Sequence, residues 1–236
     1  MGLKSVPIYG SLYPEPPFLY YGTRLLMVLY KVKRESIPSD VLHENFEIRK
    51  RPLIMMFLTE YPESTIGQYY EAATFIEVKH TGKSGKTQGL YCNSMYVDSD
   101  IALTAGREIW GFPKKMAKMT LVEEGKKVIG TLKRKNIELI KATINLEEEI
   151  KNLPLPDVPI LTIRQFFEPG GGSYSLRQVQ AIDMELEPKK IMKGDIKVEF
   201  PEKSDDDPIH FLKPESIFGG FYMKLSKGVL PYGRVL

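Results

Sequence analysis

The chain has 236 residues, of which 42% are hydrophobic and 27% are charged, proportions that are typical of a globular protein and not of a disordered one. Its 33 basic and 30 acidic residues nearly balance, so the composition argues against a nucleic-acid partner. The single cysteine, Cys92, excludes an intrachain disulfide and disfavours a cysteine metal site, which is typical of a cytoplasmic protein.

We predict a single domain over residues 1–236, because no shift in composition marks an internal boundary. Residues 1–21 contain several prolines and aromatic residues but no continuous apolar segment, so they are expected to form an extended N-terminal arm. No segment reaches the roughly 20 apolar residues that cross a bilayer, and we therefore expect no membrane partner.

The first predicted elements are two strands separated by a short helix. Residues 23–33 are rich in β-branched and aromatic side chains, which favours a strand, and Arg24 lies at its start. Residues 35–45 are predicted to form the helix. Residues 53–59, LIMMFLT, form a continuous apolar segment, which is typical of a strand that is buried on both faces.

A β-hairpin is predicted next, with residues 67–79 and 89–97 as its strands and the polar segment 80–88 as a flexible turn. Glu71 lies in the first of these strands among aromatic residues. A carboxylate there must either face solvent or be paired. Strand periodicity places Glu71 on the same face as Tyr69.

A short helix is predicted at 101–105, with Asp98 or Ser99 as its cap. Pro113 prevents the helix from continuing, so the segment 110–115, WGFPKK, leaves it as a turn. Lys114 is therefore expected at a fixed point beside the helix. Lysine pairs usually lie in water, but burial of a lysine beside apolar rings disfavours the charged ammonium and leaves a nucleophilic amine.

The rest of the chain is predicted to be mostly strands. These strands are expected at residues 118–123, 126–134, 137–146, 160–167, 175–186, 190–200 and 218–225. Many short strands, few helices and frequent turns favour an α+β fold with a mainly antiparallel sheet or barrel and a few short helices.

Other catalytic patterns are missing from the sequence. The three histidines are far apart and none belongs to an H-E-x-x-H motif, so a metal site is not predicted. There is no G-x-S-x-G elbow, and Cys92 lies in a predicted strand, where a buried and inert thiol is expected. The segment 85–87, GKT, lies in a hairpin and lacks the first glycine of a phosphate-binding loop.

The lysine turn closely resembles a known signature. The GRE sequence at 106–108, followed by FPKK at 112–115, resembles the signature of the acetoacetate decarboxylase family, whose nucleophile is the first lysine. The family's name-giving enzyme is itself the usual example of a lysine activated by apolar surroundings or by a neighbouring cation. The segment 95–98 and the Gly-x-x-x-Glu strand at 67–71 resemble further family features, and the resemblance is good over residues 23–134 and loose beyond them.

The resemblance implies a barrel or cone of the acetoacetate decarboxylase type in which Lys114 forms an imine with a small keto acid. It implies three further catalytic residues: Arg24 as the partner of the substrate carboxylate, Glu71 as a proton shuttle or as the group that orients Arg24, and Lys115 as a neighbouring charge. The alternative for Arg24 and Glu71 is a structural pair at the mouth of the barrel. If Lys115 points away from Lys114, burial among apolar side chains must do most of the activation. No cofactor is required, because the protonated imine accepts the electrons that CO2 leaves behind. The substrate pocket is expected to contain Met56, Phe57, Met95, Trp110 and Phe112.

Phe57 stands where decarboxylases of the family carry a second glutamate, so three functions stay open. The first is decarboxylation of acetoacetate or a related β-keto acid. The second is another Schiff-base reaction of a keto acid, of the aldolase, dehydratase or hydrolase type. The third is a non-catalytic barrel that binds a small molecule. The resemblance also implies a homo-oligomer, for which the arm at 1–21 is a candidate interface.

Overall fold

The computed structural model describes residues 3–82 and 85–236. The described residues form sixteen strands and only short helical segments. The strands are β1 Phe18–Tyr21, β2 Arg24–Lys31, β3 Phe46–Glu47, β4 Leu53–Tyr61, β5 Glu63–Ser64, β6 Tyr69–Gly82, β7 Gly85–Val97, β8 Lys114–Met116, β9 Lys118–Glu124, β10 Lys127–Arg134, β11 Ile137–Glu149, β12 Ile160–Phe167, β13 Tyr174–Ile182, β14 Glu185–Glu199, β15 Ser216–Leu230 and β16 Arg234–Val235. The helical segments are α1 Asp100–Ala105, a π-helical turn at Gly106–Trp110, and 3₁₀ turns at Arg34–Ser36, Ser39–Val41 and Ile209–Leu212. No helix in the described part is long and apolar enough to cross a membrane.

All the strands belong to one sheet, whose main path is β16-β13-β12-β7-β6-β4-β2-β15-β14-β11-β10-β9. The pairs are antiparallel except where β7 meets β8 and β12, so the predicted mainly antiparallel fold is confirmed. The path has β16 and β9 as its ends, and these strands do not pair with each other within the described ranges. Strand pairing therefore does not close the expected barrel.

The central strands are buried on both faces, as the apolar segment 53–59 predicts. In β2, Leu26 and Tyr30 lie in one hydrophobic core, which we call the Tyr30 core, while Leu25 and Met27 lie in a second, which we call the Phe75 core. Successive side chains of a strand point to opposite faces, so a strand between two cores must be apolar at every position.

Residues 35–45 do not form the predicted helix. They form the two 3₁₀ turns at Arg34–Ser36 and Ser39–Val41, separated by an extended Ile37. Pro38 explains the difference, because its ring disfavours a helical backbone at the preceding residue and it lacks an N–H to donate.

Two other boundaries differ from the predictions. The last residues of the predicted arm, Phe18–Tyr21, are extended but belong to the sheet, because they pair with both β15 and β5 and place Phe18 and Tyr20 in the Phe75 core. The β6–β7 ladder continues to Gly82 and Gly85, so most of the predicted flexible turn at 80–88 is strand. Residues 83 and 84 lie outside the described residues.

Candidate active site

A cavity of about 250 Å³ lies within the Phe75 core. Its wall combines side chains from β1, β2, β4, β6 and β7 with others from β13, β14 and β15, so strands from both halves of the path face the same space. The sheet therefore curls around the cavity. The wall is mostly apolar, and its charged residues among those described are Glu71, Lys114 and Asp157.

Lys114 and Glu71 form a buried ion pair in this wall. The Nζ atom of Lys114 lies 2.8 Å from Oε2 of Glu71, and the two side chains are only 5% and 7% exposed. The amine also lies 5.8 Å from the ring centre of Tyr69 and 5.6 Å from that of Phe112. Each charge compensates the other in surroundings where either alone would be strongly disfavoured.

Tyrosine hydroxyls surround the pair. Tyr61 donates a hydrogen bond of 3.3 Å to Oε1 of Glu71, the oxygen that Lys114 does not contact. Burial and the neighbouring charge of Glu71 raise the pKa of Tyr61 well above its usual 10.0, so this hydroxyl remains a donor. The hydroxyl of Tyr69 donates to that of Tyr20 over 3.3 Å. The ion pair therefore lies beside a set of neutral hydroxyl groups.

The local sequence explains how Lys114 reaches the cavity. The side chain of Ser99 accepts a hydrogen bond from the backbone of Ala102, so Ser99 is the N-cap of α1 as predicted. The π-helical turn ends at Gly111, whose φ of 73° suits glycine, and Pro113 then begins an extended backbone. A side chain at Gly111 would also collide with the backbone of Arg164, since a Cβ there would lie 2.5 Å from its Cα.

Two residues of the GRE motif hold the lysine in place. A Cβ atom at Gly106 would lie 2.5 Å from Cε of Lys114, so the glycine leaves the space through which the lysine side chain passes. Arg107 donates a hydrogen bond from Nη1 to the backbone carbonyl of Lys114 over 3.2 Å. Gly106 and Arg107 therefore position Lys114, and neither residue lines the cavity.

Lys115 points away from the cavity. Its Nζ lies 2.7 Å from Oδ1 of Asp207, a carboxylate that is 2% exposed and also accepts hydrogen bonds from Arg134 and Tyr96. Adjacent residues of the extended β8 project to opposite sides, which explains the separation of the two lysines. The expectation that Lys115 supplies a charge next to Lys114 is therefore wrong, and Lys115 instead fastens β8 to the segment around Asp207.

Arg24 is also turned away from the cavity. It pairs with Glu60, its partner across β2 and β4, and Glu60 accepts a further hydrogen bond from Tyr70. The expected contact between Arg24 and Glu71 is not formed. Thr23, one position earlier, lies in the cavity wall instead, and its buried hydroxyl has no hydrogen-bond partner among the described residues.

The expected pocket residues divide into two groups. Phe57, Met95 and Phe112 line the cavity as predicted. Met56 projects into the Tyr30 core, because it alternates with Phe57 along β4. Trp110 lies behind the wall, where it packs against Phe112 and Phe18 and donates a 2.7 Å hydrogen bond to the carbonyl of Pro231.

Some wall residues were not predicted from the sequence. Tyr69 shares a strand face with Glu71, so its proximity to the ion pair was readable from periodicity alone. Tyr61 and Tyr20 come from other strands and required the tertiary structure. The segment 155–158 contributes Leu155 and Val158 to the wall, and nothing in its proline-rich sequence indicated that role.

Comparison with known sequences gives one family for nearly the whole chain. The model of the family "Acetoacetate decarboxylase (ADC)" matches residues 5–235. The protein "Acetoacetate decarboxylase 3" of Mesorhizobium japonicum is 34% identical over 129 residues, which are 54% of this chain and 48% of that protein. "Acetoacetate decarboxylase 1" of Bradyrhizobium diazoefficiens is 28% identical over 141 residues, 59% of this chain and 54% of that protein. The chain thus aligns with about half the length of these curated relatives.

Solved structures share the fold. The acetoacetate decarboxylase of Legionella pneumophila superposes with a TM-score of 0.82 at 24% identity, over 96% of this chain and 90% of that one. The enduracididine biosynthesis enzyme MppR, solved with the condensation product of pyruvate and imidazole 4-carboxaldehyde, superposes with a TM-score of 0.77 at 18% identity, over 98% and 95%. At these identities the similarity establishes the architecture alone.

Proposed function

Because the chain belongs to the acetoacetate decarboxylase family, we propose that it is a carboxy-lyase in which Lys114 forms an imine with a β-keto acid, which then loses CO2 to give a ketone. The observation that carries the proposal is the position of the Lys114 amine, buried in an apolar cavity and 2.8 Å from a carboxylate. Apolar surroundings penalise both charges of this pair, and transfer of one proton from Lys114 to Glu71 would leave both groups neutral and the amine nucleophilic.

The proposed reaction begins when Lys114 passes a proton to Glu71 and the neutral amine attacks the ketone carbon. One proton then moves from the nitrogen to the new oxygen, and Glu71 returns its own proton to the same oxygen, so that water leaves and a protonated imine remains. The bond to the carboxylate breaks, CO2 departs, and the electron pair moves to the imine nitrogen to form an enamine. Protonation of the enamine carbon and hydrolysis of the imine release the ketone and restore Lys114.

The remaining polar groups have supporting roles in this proposal. Tyr61 holds one oxygen of Glu71, which leaves the other oxygen facing the lysine. Thr23 offers a free hydroxyl to the substrate carboxylate, a role that the sequence assigned to Arg24. Weak solvation of the substrate carboxylate favours the reaction, because this group loses its negative charge when it leaves as CO2.

A second candidate function is an aldol or dehydration reaction through the same imine. It is favoured by Phe57, which occupies the cavity wall where family decarboxylases carry a second glutamate and leaves Glu71 as the carboxylate beside the amine. MppR, which shares this fold, was solved in complex with a condensation product of pyruvate, so the architecture accommodates such a compound in that protein. Decarboxylation releases the substrate carboxylate as CO2, whereas an aldol or dehydration reaction retains it.

The experiment that tests the proposal is reductive trapping with borohydride, in parallel with measurement of CO2 release. A panel of keto acids is expected to label Lys114 and to release CO2, and Lys114→Ala should lose both signals. Lys118→Ala is a matched control, because Lys118 is an exposed lysine of the neighbouring β9. Labelling without CO2 would favour the aldol or dehydration reaction, and failure to label with the entire panel would exclude both and favour a binding protein.

We also propose that copies of the chain associate through the N-terminal arm. Apolar side chains before β1 are widely exposed, with Leu3 at 79%, Ile8 at 66% and Tyr9 at 96%. Light scattering should give a mass that is a multiple of 27.0 kDa for the full chain and a smaller multiple after removal of residues 1–12. An unchanged mass after the deletion would place any interface elsewhere.

A further inference from the structure

The charged groups of the cavity are unevenly distributed around its wall. Lys114 and Glu71 are paired and buried, whereas Asp157 is exposed to solvent at the segment 155–158. The neighbours of Asp157 in the chain, Leu155 and Val158, are half-buried apolar residues of the wall, and Leu186, which also lines the cavity, is 38% exposed. The amine therefore lies in a buried part of the wall, whereas these partly exposed and mostly apolar residues form the part that meets solvent, which we call the apolar passage.

The volume of the cavity exceeds what the smallest β-keto acid requires. A space of about 250 Å³ holds about eight groups of the size of a water molecule, each of which occupies about 30 Å³. Acetoacetate consists of a methyl, a carbonyl, a methylene and a carboxylate group, so it would fill about half of this space. Three or four further methylene groups fit into the remainder.

The wall also selects against a second charge on the substrate. Among the residues that the structure describes, no arginine lines the cavity, and its one lysine is the proposed nucleophile. A dicarboxylate would bring its additional charge towards Asp157 or Glu71, where like charges repel. An alkyl chain would instead bury itself against Met184, Leu225 and Leu230, which line the cavity without offering a polar group.

On the premise of the proposed function, we propose that the substrate is a medium-chain 3-oxo fatty acid of about seven or eight carbons, with its unbranched alkyl chain in the apolar passage. The reaction converts R–CO–CH2–COOH into R–CO–CH3 and CO2, so the product is a methyl ketone. The enzyme that supplies the substrate must therefore make or release free 3-oxo acids.

The test is a chain-length series of 3-oxo acids with four, six, eight and ten carbons, measured by CO2 release and by borohydride labelling of Lys114. Burial of one methylene group is worth about a fourfold gain in affinity, so kcat/KM should rise about 200-fold from four to eight carbons. It should rise little further at ten carbons, because the additional methylene groups extend through the passage into solvent and are not buried. If acetoacetate reacts as well as the eight-carbon acid or better, the inference is overturned while the proposed function stands. If no member of the series labels Lys114, the proposed function itself fails.

A variant at Gly228 gives an independent test. This glycine lines the cavity, and a Cβ atom there would lie 3.6 Å from both Leu186 and Tyr20, so a first methyl group fits without a clash. The larger side chain of Gly228→Val would then occupy part of the passage. We expect it to lower kcat/KM for the eight-carbon acid by about tenfold relative to acetoacetate.

Gly170→Val is the control, because a Cβ at Gly170 has no neighbour within 4 Å. An equal loss for both substrates would count against the inference, and if Gly228→Val does not fold, the chain-length series decides alone.

Discussion

Glu71 connects Lys114 to Tyr61: one of its carboxylate oxygens lies 2.8 Å from the amine and the other accepts the tyrosine hydroxyl at 3.3 Å. This arrangement makes Glu71 the only described side chain in contact with Lys114 that can carry its proton. The proposed mechanism uses that proton twice, once when the amine becomes nucleophilic and once when water leaves.

The first prediction concerns Glu71→Gln, which keeps the shape of the side chain but removes its ability to take up the proton. General acid–base catalysis by one side chain is typically worth about 10²- to 10⁴-fold, so kcat for CO2 release should fall within that range. Labelling of Lys114 by borohydride should slow in parallel. Tyr61→Phe is a graded comparison and should cost less, because it removes one hydrogen bond to Glu71 and leaves the carboxylate. An unchanged kcat in Glu71→Gln would exclude a proton-transfer role.

The second prediction concerns Gly106→Ala. The new methyl group would lie 2.5 Å from Cε and 2.6 Å from Cδ of Lys114, both near the free end of a flexible side chain. The lysine can therefore move aside without disturbing the backbone, but the buried ion pair with Glu71 is weakened, so the melting temperature should fall. The amine would lose its position against Glu71, so labelling and CO2 release should fall by about tenfold or more. A large loss of stability with normal labelling of the folded fraction would contradict this view of the glycine.

Gly106 also shows which properties of the site can be predicted from a sequence motif and which require the structure. The motif GRE-FPKK identified the family and indicated Lys114 as the proposed nucleophile because its spacing is unusual, and the chain from β2 to β10 confirms the strands that were expected around it. The packing of Gly106 against Lys114 depends on a π-helical turn, which no local propensity indicates. The family resemblance therefore located the lysine, whereas only the structure explains why a glycine precedes it.

The errors at Arg24 and Lys115 have one physical origin. Side chains of a strand alternate between two faces, so an assignment that is wrong by one residue places a group on the opposite side of the sheet. Leu25 and Met27 line the cavity, and their alternation selects Thr23 and excludes Arg24. The sequence shows that Thr23, Leu25 and Met27 share one face of the strand and that Arg24 lies on the other. It does not show which of the two faces borders the cavity, because both faces of β2 are apolar.

The third prediction separates Thr23 from Arg24. Thr23→Val removes the free hydroxyl from the cavity wall with almost no change in shape, so KM for a keto acid should rise severalfold while kcat changes little. Arg24→Lys retains a cation opposite Glu60 and lies on the other face of the sheet, so KM should remain close to that of the parent protein. A rise in KM that appears only in Arg24→Lys would restore the arginine as the carboxylate partner.

The fourth prediction concerns Lys115→Met. The substitution removes one of the cations that contact the buried carboxylate of Asp207, while Arg134 remains at 2.8 Å. Because the lysine is 43% exposed and one cation stays in place, the loss should be about 1 kcal/mol in the free energy of unfolding. The rate of Lys114 labelling should be unchanged, because the two lysines lie on opposite sides of β8. Urea unfolding and trapping kinetics on the same variant test both statements, and a slow labelling rate in a stable variant would contradict the separation.

The fifth prediction is a loss of stability at alkaline pH. Burial raises the pKa of Tyr30, and burial together with nearby charge or hydroxyl groups raises those of Tyr61 and Tyr69, all above the usual 10.0. Below pH 10 these tyrosines are neutral in both the folded and the unfolded chain, so they contribute no pH dependence. Above pH 10 the unfolded chain releases their protons while the folded chain retains them, which favours unfolding by about 1.4 kcal/mol per tyrosine for each pH unit. The part of the tyrosinate absorbance that comes from these buried tyrosines should therefore change together with the far-ultraviolet circular dichroism, because their hydroxyls become ionised only when the sheet opens. Ionisation of the full tyrosine complement with the circular dichroism of the folded state intact would show that the hydroxyls beside Glu71 are open to solvent.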